Sequence, residues 1–147
     1  MKLLLDTNVL IDQLAQRVPF YQHIRTLCIA SYFKEVELWC SVQSYTDAAY
    51  ALRKFAPKQQ LMSTMEATLE FIRPCSFPAE SLRPALRSDW PDLEDFLIAY
   101  AAAGIKADYV VTRDEGGFQA SKVPALSPQA AVDMLANAGL VYDEVSW

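Results

Sequence analysis

The chain opens on Leu3-Leu4-Leu5 and turns polar at once, at Asp6-Thr7-Asn8. A short apolar run that does not alternate needs both of its faces covered. A central strand of a parallel sheet meets that need. The residues that follow are types that cap a helix. A second passage of the same kind is Asp108-Tyr109-Val110-Val111-Thr112, followed by Arg113-Asp114-Glu115 and two glycines. Residues 37–42 read as a further buried strand, and short strands fit within 71–77 and at 123–126.

Between these runs the apolar residues recur at helical spacing. Val9, Leu10, Ile11 and Leu14 continue from the first cap, and Phe20, Ile24, Leu27, Cys28 and Tyr32 follow Pro19. Tyr45, Ala48, Ala49 and Leu52 mark a helix over 43–55. Leu61, Met65, Thr68, Leu69 and Ile72 form the stripe of the next, after Pro57. Pro78 opens a helix to about residue 87. Ser88-Asp89-Trp90-Pro91 is a break, and a helix over 92–103 is expected to end at Gly104. A last helix fits 128–137. Strands alternating with helices predict an α/β fold with a parallel sheet covered on both faces. No repeat or linker divides the 147 residues, so one domain over 1–147 is expected.

The acids are the chemistry-bearing residues. The net charge is -5, with one histidine, His23, and three scattered cysteines, Cys28, Cys40 and Cys75. No Cys-x-x-Cys pair supports a zinc site, and no Ser-His or Cys-His arrangement supplies a nucleophile. Lone cysteines in apolar stretches suit a reducing compartment. Asp6 interrupts the first run too early for a signal peptide, and no stretch approaches the ~18 apolar residues of a membrane span. A cytoplasmic chain with no membrane partner is therefore expected.

Ligands of open parallel sheets bind beyond the carboxyl ends of the strands. Asp6 directly follows the first strand, and Asp114 follows the strand at 108–112. Asp92 and Asp95, three apart, share a helix face, and Asp47 lies one turn into the helix after the second strand. Each has a plainer reading: a cap for Asp6, a dipole partner for Asp92, a solvated position for Asp47, a turn for Asp114. Asp95 beside Phe96-Leu97-Ile98-Ala99 is a carboxylate in an apolar stretch, which needs a partner. Carboxylates gathered at one rim repel unless a hard cation neutralises them. Mg2+ or Mn2+ prefers such oxygens, and metal-activated water attacks phosphodiesters. Bound cations would also offset the acidic balance where a phosphate docks. Arg113 is a candidate phosphate contact or, equally, half of a surface ion pair.

Four blocks resemble the PIN-domain nucleases, especially the VapC-like toxins of toxin–antitoxin pairs. They are Leu4-Leu5-Asp6-Thr7-Asn8-Val9-Leu10-Ile11-Asp12, Ser41-Val42-Gln43-Ser44-Tyr45-Thr46-Asp47, Asp92-Leu93-Glu94-Asp95-Phe96-Leu97-Ile98-Ala99-Tyr100-Ala101, and Asp108-Tyr109-Val110-Val111-Thr112-Arg113-Asp114 with Phe118. The resemblance implies a three-layer α/β/α fold with a mostly parallel sheet and a Mg2+- or Mn2+-dependent ribonuclease acting on RNA. It also implies homodimers and an antitoxin partner. It assigns metal binding to Asp6, Asp95 and Asp114, with Asp47 as the second acid and Asn8 and Thr112 supporting through hydrogen bonds. The family's second acid is usually Glu, so Asp47 departs from the pattern with a shorter reach. Asp92 is placed to make up for it, directly or through a water. A haloacid-dehalogenase-type phosphotransferase would need an acid two residues after Asp6, where Asn8 stands. A non-catalytic RNA-binding or scaffolding PIN domain is the alternative from another class.

Overall fold

A computed structural model describes residues 1–142. The acidic end with Trp147, read from sequence as a tail, lies outside the described residues. The elements run β1 (Lys2–Leu5), α1 (Thr7–Ala15), α2 (Tyr21–Tyr32), β2 (Glu37–Ser41), α3 (Val42–Leu52), α4 (Lys58–Thr68) and β3 (Ile72–Cys75). They continue with α5 (Leu82–Arg87), α6 (Leu93–Gly104), β4 (Tyr109–Val111), β5 (Ala125–Leu126) and α7 (Pro128–Asn137). The five strands form one parallel sheet in the order β3-β2-β1-β4-β5. Helices cover both faces, giving a three-layer α/β/α fold.

The leucine run shows why the central strand has no polar face. Leu3 and Leu5 point into one core with Val9, Leu27, Leu38, Cys40 and Val111. Leu4, one residue out of phase, points into the other with Ile98, Ala102 and Val110. All three leucines are fully buried. Side chains alternate across a strand, so a strand buried on both sides is apolar at every position. Each such leucine contributes about 1.5–3 kcal/mol relative to exposure.

β1 pairs with β2 on one side and β4 on the other. The chain therefore leaves β1 in one direction and returns on the opposite side. Beyond the carboxyl ends of β1 and β4 this opens a crevice, the place where open sheets bind ligands. The backbone N–H of Asp6 donates to Val111 O at 2.9 Å and ties the two exits together.

Several expected boundaries move. Ile72 belongs to β3, and Leu69 is half exposed at the end of α4, so the apolar stripe of that helix is Leu61, Met65 and Thr68. The segment opened by Pro78 begins as a 3-10 turn at Ala79–Ser81 before α5. Gly104 is the last residue of α6 rather than its stop. The left-handed residue is Lys106 (φ 57°). The N–H groups of Ile105 and Ala107 close the helix end, on the carbonyls of Ala101 and Ala102.

Candidate functional site

Asp6 is buried at the mouth of the crevice, where α1 begins. Its Oδ1 accepts from the backbone N–H of Thr7 at 2.7 Å. Its Oδ2 accepts from Thr112 Oγ1 at 2.8 Å and from Asn8 Nδ2 at 3.2 Å. Thr112 in turn accepts from the backbone N–H of Asp114 at 3.0 Å. The loop after β4 is thus fastened to the carboxylate after β1. Burial pushes the Asp6 carboxyl up. The Thr112 and Thr7 hydrogen bonds oppose that rise, while the charges of Glu94 and Asp114 add to it.

α6 brings its acids to the same place. Asp92 caps the helix, its Oδ1 accepting from the Asp95 N–H at 3.0 Å. Capping fixes the first turn, in which Glu94 and Asp95 stand. The Asp95 carboxyl is pushed up to about 7, first by burial, then by the charges of Asp6, Asp92, Asp114 and Glu94. Every one of these influences opposes ionisation. A methyl group on Gly117 would stand 2.5 Å from Asp95 Oδ2 and 3.3 Å from Asp114 Oδ2. The two carboxylates therefore converge on a bare α-carbon, where a side chain would take up the space between them.

Of the acids named from sequence, Asp6, Asp92, Asp95 and Asp114 act on one another here. Asp47 is not among the charges that shift Asp6 or Asp95; its Oδ1 accepts from Gln43 Nε2 at 3.0 Å, one turn earlier in α3. Glu94 is the acid that sequence reasoning passed over. Its Oε1 accepts from Thr7 Oγ1 at 2.5 Å, across 87 residues. The available signal was its position beside Asp95 in the first turn of α6. Arg113 is not free for phosphate. Its Nε lies 2.7 Å from Asp12 Oδ2, and its guanidinium sits over the Phe20 ring at 4.3 Å.

The carboxylates supply hard oxygen donors, the kind that Mg2+ or Mn2+ prefers. Among the described residues no three acids, histidines or cysteines are already drawn in far enough to enclose an ion.

The sequence model of the PIN domain family matches residues 2–116. The chain belongs to the PIN domain family. That match takes in β1, α6, β4 and all the acids described above. No curated protein matches the chain. Among solved structures, a chain of VapBC2 from Rickettsia felis, solved bound to a DNA fragment from its promoter, is similar with a TM-score of 0.62. It is 20% identical, over 86% of this chain and 98% of that one. A chain of FitAB, bound to an IR36 DNA fragment, is similar with a TM-score of 0.61 and 18% identity, over 86% of this chain and 94% of that one. These likenesses show the shared PIN fold. Among the described residues no helix is long and apolar enough to cross a membrane.

Proposed function

We propose that this PIN domain is a Mg2+- or Mn2+-dependent ribonuclease whose ion is held by Asp6, Asp95 and Asp114. The observation that carries the reading is the meeting of Asp95 and Asp114 over Gly117, close enough to the buried Asp6 for the charges to act on one another, with no cation among the groups that shift either Asp6 or Asp95. Carboxylates left in mutual repulsion cost stability, and a bound divalent ion would offset that cost. The ion would supply the Lewis acidity that makes water a nucleophile near neutral pH.

The chain's own residues do the rest. Thr112, Asn8 and the Thr7 N–H hold Asp6 in one orientation and favour its charged form. Asp92 fixes the first turn of α6 and so the direction of Asp95. Gly117 keeps the space in front of Asp95 and Asp114 open. Arg113 stays on Asp12, so phosphate would be met by the ion rather than by this guanidinium.

We further read the chain as the toxin of a toxin–antitoxin pair, acting as a homodimer in the cytoplasm, with a small antitoxin covering the acidic rim. The likeness to chains of the two-component VapBC2 and FitAB complexes supports that partner. Expression of the chain alone should arrest growth, and expression of Asp95→Ala should not.

The enzymatic test is RNA cleavage by purified protein. Cleavage should require Mg2+ or Mn2+, stop with a chelator, and fall about a hundredfold or more in Asp6→Asn and Asp95→Asn. RNA binding that ignores chelator, with no cleavage, would establish the scaffolding alternative instead.

A further inference from the structure

We infer that Glu94, rather than Asp47, is the second acid of this site, and that Thr7 positions it. The inference rests on the metal-dependent reading above and assigns its fourth carboxylate.

The argument starts from three hydroxyls. Ser41, Ser44 and Thr7 are buried, and each has one proton to donate. Thr7 spends its proton on Glu94 Oε1, at 2.5 Å. The 2.8 Å contact between Thr7 Oγ1 and Ser44 Oγ must then take its proton from Ser44. By the same logic, Ser41 donates across the 2.9 Å contact to Ser44. Ser41 is itself held by accepting from the Ser44 N–H at 3.0 Å. The relay therefore has one direction, from Ser41 at the end of β2 through α3 and α1 to the Glu94 carboxylate. Hydroxyls aligned this way polarise one another and strengthen the final bond.

The relay crosses from the second strand to the rim through Ser44, one turn before Asp47. Asp47 turns its carboxylate to Gln43 instead. Both acids line the same 250 Å³ cavity, with Phe77 and Leu97. Glu94 is joined to Asp6 through Thr7, whose hydroxyl donates to Glu94 and whose backbone N–H donates to Asp6 Oδ1 at 2.7 Å. The longer Glu side chain, entering from α6, thus does from the neighbouring helix what the shorter Asp47 does not do from α3.

The test is Mn2+ titration of the purified full chain without RNA, followed by the spin-resonance signal of free Mn2+. Glu94→Gln should weaken Mn2+ binding about tenfold to a hundredfold, and Asp47→Asn should leave it at the wild-type level. Thr7→Val should weaken binding about tenfold, and Thr7→Ser, which keeps the hydroxyl, should restore it. Circular dichroism on each variant separates lost binding from lost folding, and Thr7→Ser keeps the test open if Glu94→Gln does not fold. Loss of binding in Asp47→Asn with none in Glu94→Gln overturns the assignment and leaves the nuclease reading standing. Wild-type protein that binds no Mn2+ overturns both.

Discussion

Two carboxylates in this molecule live under opposite electrostatic rules. Asp12, on α1, has no solvent exposure at all, yet two cations answer it. Arg113 Nε lies 2.7 Å from its Oδ2, and Arg17 Nη1 lies 3.9 Å from its Oδ1. Burial raises its pKa, and both arginines pull it back. Asp95 is half-buried, and its neighbours are Asp6, Asp92, Asp114 and Glu94. Burial raises its pKa too, and every nearby charge raises it further, to about 7. The first arrangement is complete without a ligand. In the second, each of these nearby charges opposes ionisation, and under the proposed function a bound cation would answer it. The same loop serves both, because Thr112 bonds Asp6 while Arg113 pairs with Asp12.

The contrast can be broken from the Asp12 side first. Asp12→Ala removes a fully buried carboxylate from two partly exposed guanidinium groups. It should destabilise the fold by about 3 kcal/mol, the low end for breaking a buried pair because the arginines keep contact with water, read as a lower urea midpoint with an unchanged slope. The metal affinity of whatever remains folded should not change. If Asp12→Ala proves neutral, the pair is not the structural element described here.

A smaller effect sharpens the Asp95 side. Mn2+ at about a hundred times its dissociation constant should stabilise the wild-type chain by about 2.7 kcal/mol. Asp95→Asn and Asp114→Asn should show little of that gain, and a conservative change at Asp47 should keep it. Equal stabilisation of all four proteins would show that manganese binds elsewhere.

The smallest effect is a pH dependence. Folded Asp95 holds its proton up to about pH 7, while its ordinary value is 3.8. The native state therefore binds the extra proton between those values, and stability falls as pH rises through that window. Above pH 7 the cost is fully present, so metal-free Asp95→Asn should be more stable than wild type there, by about 1 kcal/mol after solvent screening. The gap should shrink as pH falls toward 4. A gap that widens on acidification would mean the like-charge crowding at Asp95 is absent.

The sheet was largely legible in the sequence because burial on both faces leaves an unmistakable trace. Leu3-Leu4-Leu5 and Val110-Val111 could serve only as central strands. Pro128 marked the start of α7, where the structure adds Ser127 as its cap. Positions decided by non-local competition were not legible. Ile72 fits a helical stripe equally well, and only its pairing with Leu38 places it in β3. Gly104 looks like a helix stop, but Lys106 takes the left-handed turn instead.

The candidate site divides in the same way. The positions of Asp6, Asp95 and Asp114 follow from strand ends and a capped helix, which local pattern reveals. The choice between Asp47 and Glu94 depends on which carboxylate the Thr7 hydroxyl meets across the crevice. The fate of Arg113 depends on Asp12, 101 residues away. Neither contact has a local signature.

The most direct test of the central claim is anomalous diffraction from a crystal soaked in Mn2+. The account predicts a manganese peak between the carboxylates of Asp95 and Asp114 beside Gly117, with Asp6 behind it and none at Asp12. Empty density there at a saturating concentration, or manganese bound only at other acids, would contradict it.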